Sequence, residues 1–116
     1  MANERLYFGA NRKFLEDLFK GNRGRTVQFT DSPISARKDA LNAVETFKGE
    51  PAVLVVRNPE KYGFNYDDYT KTHKLYLGSR PIDLENGEDF MLVSGEEDLE
   101  RLAVLAKRFS RAGKAG

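Results

Sequence analysis

Residues 51 to 56, PAVLVV, constrain the fold more than any other stretch of the chain. The run is apolar throughout and rich in valine, yet too short to form a helix core, so it reads as a strand. Side chains alternate between the two faces of a strand. A strand apolar at every position therefore needs cover on both sides, which makes this the centre of a sheet packed between other layers.

The flanking segments supply those layers. RLYFG (5 to 9) is a short apolar run, and NRKFLEDLFKG places Phe14, Leu15, Leu18 and Phe19 at helical spacing, with Asn11 as N-cap and Gly21 just past the end. TVQFT (26 to 30) alternates as a half-buried strand does. In DSPISARKDALNAVETFKG, Ser32 is the N-cap and Pro33 the first helical residue; Ile34, Leu41, Val44 and Phe47 form an apolar stripe, Ala40 and Ala43 allow close approach, and Gly49 ends the helix. After Pro59 the pattern turns to strands: HKLYLG, then a hairpin through Asn86-Gly87. Ser94 and Glu97 have capping-box spacing, and Leu99, Leu102, Ala103, Ala106 and Phe109 predict a helix over about 96 to 111.

The expected fold class is α/β, with α+β as the alternative. It is a single small sheet in the order β-α-β-α-β, followed by a hairpin or meander and a C-terminal helix. Helical crossovers predict that the first three strands are parallel. Residues 1 to 111 form one domain in this reading, with 112 to 116 as a flexible tail. The order is shared loosely with thioredoxin-like and other small α/β sandwiches, but the cysteine pair that would make the likeness useful is absent, and no family resemblance follows.

Composition narrows the chemistry. The 116-residue chain has no cysteine, which removes disulfides, thiolate nucleophiles and cysteine metal sites. No apolar run is long enough for a signal peptide or a membrane span, so a soluble, cytoplasmic protein without a membrane partner is expected. The net charge of +1 conceals segregation: residues 81 to 100 carry eight acids and no base, and residues 101 to 116 five bases and no acid.

Four constellations bear on function. NPEKYGFNYDDYTKTHKLYLG (58 to 78) holds four of the five tyrosines and the only histidine. Its aromatic residues could pack against the sheet, meet a protein, or stack on bases beside Lys61, Lys71 and Lys74. Packing is the preferred reading, with Tyr66 and Tyr69 as exposed exceptions. The loop KGNRGRT (20 to 26) could offer Arg23 and Arg25 to a phosphate or simply connect two elements; it follows a helix, unlike phosphate-binding loops that precede one. His73 stands apart from any nucleophile motif such as G-x-S-x-G, so no catalytic residue is expected. Asp83, Glu85, Glu88 and Asp89 flank the hairpin turn without calcium-loop spacing, and neither a metal nor another cofactor is expected. Glu96, Glu97 and Asp98 suit the first turn of the last helix, where the helix dipole favours acids.

Together these predict a small, non-enzymatic protein-binding module of adaptor or inhibitor type. Its surface would comprise Tyr66, Tyr69, Asp83, Glu85, Glu88, Asp89 and Glu96, and its partner would be another protein with a basic surface. Self-association is allowed by the opposed charges on one molecule. The rival reading is a nucleic-acid module in which Arg12, Lys13, Arg23, Arg25 and Lys71 meet phosphates, although the pI of 7.9 is low for one.

Overall fold

The computed structural model describes residues 5–21, 26–76 and 89–115. At its centre lies β3 (Pro51–Arg57), buried at every position as its unbroken apolar run requires. It is flanked by β1 (Arg5–Asn11) and β6 (Phe90–Ser94), both antiparallel to it. A second three-stranded antiparallel sheet has the order β2 (Thr26–Phe29), β5 (Thr72–Tyr76), β4 (Asn65–Asp67). The two sheets meet at one bridge, where Tyr7 and Thr30 exchange backbone hydrogen bonds of 2.8 Å. The protein is a mixed α/β structure, and its first five elements follow the order β-α-β-α-β read from the sequence.

The expected parallel pairing of the first three strands is not what forms. β1 sits between β2 and β3 and is antiparallel to each, so β2 and β3 share a direction without being neighbours. The crossover rule holds for β2 and β3, which α2 (Pro33–Phe47) connects. It fails for β1 and β2. Nor is there one flat sheet: past the single bridge β2 leaves the plane of β1.

That departure builds the core. Leu6 and Ala10 of β1, Ala52, Leu54 and Val56 of β3 and Phe90 of β6 share one apolar cluster with Val27, Phe29 and Leu75 of the second sheet and with Leu15 and Leu18 of α1 (Arg12–Gly21). Asn11 caps α1 as expected, its Oδ1 accepting the Phe14 N–H at 2.7 Å. Helix α1 runs through Gly21 rather than ending before it, and Phe14 lies outside the core, 44% exposed. The opposite face presents Tyr7, Val53, Val55 and Val93 to α2 and to α3 (Glu96–Glu100) and α4 (Leu102–Ala115), through Ala36, Ala40, Leu99, Leu102 and Ala106.

Helix α2 starts as predicted, with the Ser35 N–H donating to Ser32 Oγ at 3.2 Å and Pro33 in the first turn. It ends at Lys48 and Gly49, both with positive φ. Its buried face, however, is Ala36 and Ala40; Ile34 and Phe47, expected in the core, are 77% and 74% exposed. The cause lies in β1. A Cβ placed on Gly9 would stand 1.9 Å from the Ala36 carbonyl oxygen and 3.0 Å from the Ala40 nitrogen, so backbone rests on backbone there. Only small side chains fit at such a contact.

The last helix also differs. Ser94 ends β6 instead of capping a helix, and Gly95 precedes α3 with no side-chain cap. A break at Arg101, whose N–H donates to Asp98 O at 3.0 Å, separates α3 from α4, which spans Leu102–Ala115. The predicted Asn86-Gly87 turn lies outside the described residues. Among the described residues no helix is long and apolar enough to cross a membrane.

Replacing Gly9 with Ala should therefore cost more than an ordinary buried methyl insertion. We expect a loss of about 3 kcal/mol, the upper part of the usual range for overpacking, measured as a lower denaturation midpoint at unchanged m-value. A Gly9→Ala variant as stable as the wild type would contradict the Gly9–Ala36 contact.

Candidate functional site

The tyrosine segment divides into a packed half and an exposed half. Tyr62 closes a short 3-10 helix (Pro59–Tyr62) and meets Phe90 at a 57° tilt with ring centroids 5.1 Å apart; Phe64 meets Phe29 edge-on at 5.1 Å, and Phe29 meets Phe8 at 5.5 Å. Aromatic pairs of this kind stabilise by about 0.5–1.5 kcal/mol beyond their burial. Tyr66 lies across the strand pair from His73, ring centroids 4.8 Å apart, and is 53% exposed; Tyr69 is 94% exposed. Tyr76, which the sequence did not single out, is 64% exposed. Strand alternation puts Tyr66 with His73 on one face of the small sheet and Tyr76 with Lys74 on the other. The exposed tyrosines do not form one stacking platform.

Tyr69 owes its position to Asp67. The Asp67 carboxylate accepts the Tyr69 N–H at 2.9 Å, the Thr70 N–H at 3.4 Å and the Lys74 ammonium at 2.8 Å, while its carbonyl accepts the Lys71 N–H at 2.8 Å. Lys71 completes the turn with φ 59°, its ammonium 3.5 Å from Asp68. The Lys74 hydrogen bond, then that from Tyr69, hold the Asp67 pKa down from 3.8 to about 2.

Asp89 is not a surface acid. It is buried; its carbonyl accepts the Arg57 N–H at 2.8 Å, one carboxylate oxygen accepts Asn58 Nδ2 at 3.2 Å and the other accepts the Tyr62 hydroxyl. It ties the turn after β3 to the start of β6, and its place in the predicted binding surface is withdrawn. Asp83, Glu85, Glu88, Arg23 and Arg25 lie outside the described residues. Glu96 is exposed in the first turn of α3. Arg12 reaches Glu16 at 3.6 Å and Ser94 Oγ at 3.4 Å, and Lys13 is exposed. Among the described residues no cluster of three or more His, Asp or Glu could hold a metal ion.

One concavity among the described residues was not anticipated from the sequence. A groove of about 460 Å³ runs between α1 and α2 along β1, lined by Phe8, Gly9, Ala10, Phe14, Ala43 and Phe47, with Lys13 and Asp17 at its rim. A smaller cavity of about 250 Å³ adjoins it through Phe8 and Gly9, bordered by Thr30, Thr72 and Asp39. Burial raises the Asp39 pKa. Among the described residues, none of Lys13, Asp17 and Asp39 is ion-paired. The groove extends to Asn11, where β1 ends. Here the Arg12 N–H donates to Glu50 O at 2.8 Å and the Gly95 N–H to Pro51 O at 2.9 Å, which brings the acidic start of α3 to the same end of the molecule. A sequence signal for the groove existed in Phe14 and Phe47, which the helical stripes assigned to the core.

Comparison with protein-family models, with curated proteins and with solved structures gives no significant match. The site is therefore interpreted from its own geometry.

The turn that presents Tyr69 gives a pH test. The folded Asp67 pKa lies below its unfolded value, so the stabilisation it contributes is fully present above pH 3.8 and is lost as pH falls through about 2. Carboxyl NMR titration should find Asp67 ionising near pH 2, and Asp67→Asn should remove that part of the acid dependence of stability. A midpoint near 4 for Asp67 would show that the turn does not hold its carboxylate.

Proposed function

We propose that the protein is a small, non-enzymatic module that binds another protein, and that the groove between α1 and α2 is the centre of the interface. The observation that carries this is the placement of Phe14 and Phe47, one from each helix, both exposed and both lining the same concavity. Single exposed apolar residues are ordinary on protein surfaces; large aromatic residues gathered around an apolar groove mark binding sites. Aromatic anchors seated in such grooves dominate the energetics of many interfaces. The acidic first turn of α3, including Glu96, stands at the same end of the molecule and adds negative charge that favours a partner with basic groups.

The nucleic-acid reading has less support. Of its described residues, Arg12 and Lys71 are engaged with Glu16 and Asp68, and Lys74 beside the tyrosines is engaged with Asp67. Tyr66 and Tyr76 face opposite ways, where stacking on successive bases needs a shared surface. His73 packs against Tyr66 in a cross-strand pair, a setting that suits a structural role.

Affinity capture from a nuclease-treated cell extract tests the proposal, using the wild type beside a Phe14→Ser, Phe47→Ser double variant. Both positions are exposed, so we expect the variant to melt within a few degrees of the wild type. Capture of the principal protein partner should fall at least about tenfold, the size expected for losing one well-seated aromatic anchor. Capture that disappears on nuclease treatment, or that survives in the double variant, would contradict the proposal.

A further inference from the structure

The groove has a floor as well as walls, and the floor is an open strand edge. Tyr7 spends both its backbone groups on Thr30, so it points away from β3. In an antiparallel pair alternate residues point the same way, which turns Gly9 and Asn11 to that same side. The far side of β3 agrees with this alternation. The Arg57 N–H donates to Asp89 O and the Pro51 carbonyl accepts from Gly95, so the odd-numbered residues of β3 serve β6, and Ala52, Leu54 and Val56 are left to serve Ala10, Phe8 and Leu6 of β1. Past the Tyr7–Thr30 bridge, β2 diverges and pairs with β5 only. The Gly9 N–H and carbonyl thus face the groove without a backbone partner among the described residues, in a half-buried position where such groups favour one.

Building on the protein-binding reading, we propose that the groove takes an extended segment of the partner protein, which adds antiparallel to β1 at Gly9 and reaches the Asn11 N–H, directs apolar side chains between Phe14 and Phe47, and follows them with a basic residue near Asp39.

Three observations select this occupant. The first is the unpaired edge. A helix satisfies its own backbone and would leave Gly9 unpaired, whereas one residue of an antiparallel strand can both donate to and accept from Gly9. The second is the apolar lining by Phe8, Phe14, Ala43 and Phe47, which suits apolar side chains at alternate positions. The third is charge. Lys13 follows the Asn11 end of β1, and Asp39 borders the cavity at the Tyr7 end, both without an ion pair among the described residues. An antiparallel segment enters at the Lys13 end and leaves past Asp39, so an acidic residue before its apolar run and a basic one after it are complementary. Asp17 on the rim adds to the preference for a cation and weighs against a phosphate backbone.

The contact along the edge is short. Beyond the bridge Gly9 offers both its N–H and its carbonyl to the open side, and Asn11 only its N–H because its carbonyl serves the first turn of α1, so backbone pairing fixes direction and register while the aromatic walls supply most of the affinity.

A random linear peptide library selected on the immobilised full chain provides the probe. The enriched sequences are expected to alternate apolar residues and to carry Lys or Arg after the apolar run. The enriched peptide is then synthesised in two further forms, with backbone nitrogens methylated at odd or at even positions. Strand addition uses the N–H groups of one edge only, so one form should lose affinity at least about tenfold while the other keeps it. Phe47→Ser and Asp39→Lys, both at exposed positions, should each weaken the unmodified peptide at least about tenfold. Failure to enrich any sequence, equal effects of the two methylated forms, or binding unaffected by Phe47→Ser would overturn the proposal. If peptides fail while capture of the whole partner still depends on Phe14 and Phe47, the protein-binding reading stands and the occupant is a folded surface or a helix. If both fail, that reading falls as well.

Discussion

The contact on which the rest of the structure depends is the seat of α2 on β1 at Gly9. Because the Ala36 carbonyl occupies the space a side chain would fill, helix and strand approach more closely than ordinary core residues allow. The close approach selects Ala36 and Ala40 for the buried face of α2 and displaces larger residues to its flanks. Phe47, on the last turn, overhangs the end of β1 instead of filling the core. The groove is thus a consequence of how the core closes: the residue that lets α2 sit down is the same one whose backbone faces the opening.

A second constraint shapes the other wall. The second sheet covers the Leu6, Leu54 and Val56 face of the central sheet, and to do so β2 must leave the plane of β1 after one bridge. Had β2 continued alongside β1, Gln28 would stand opposite Gly9 and the edge there would be paired.

What the sequence made legible follows the same physics. The PAVLVV run identified the central strand because a residue-by-residue apolar pattern allows little else, and Asn11, Ser32 and Pro33 marked helix starts because caps act locally. The mixed tyrosine segment was also readable: Tyr62 and Phe64 pack, and Tyr66 and Tyr69 are exposed. Strand neighbours were not readable, since a connecting helix does not specify which strands pair and, as α1 between the antiparallel β1 and β2 shows, does not fix their relative direction either. The α2 stripe misled for a related reason. Spacing shows which residues share a face, but the depth of approach is set by Gly9 on another element. Asp89 was read among exposed acids because its partners, Asn58 and Tyr62, lie some thirty residues away in sequence. The groove escaped notice because Phe14 and Phe47 each belong to a stripe that looks like core when its helix is considered alone.

The opening between β1 and β2 is the feature from which the functional proposals descend, and amide hydrogen exchange in the free protein reads it directly. In native conditions the Tyr7 and Thr30 amides, which bond each other across the bridge, and the Phe8 amide, which faces β3, should exchange slowly. The Gly9 amide should exchange much faster than either neighbour in β1. Protection of Gly9 equal to that of Tyr7 and Phe8 would mean that β2 closes on β1 past the bridge, and that the strand edge is not open.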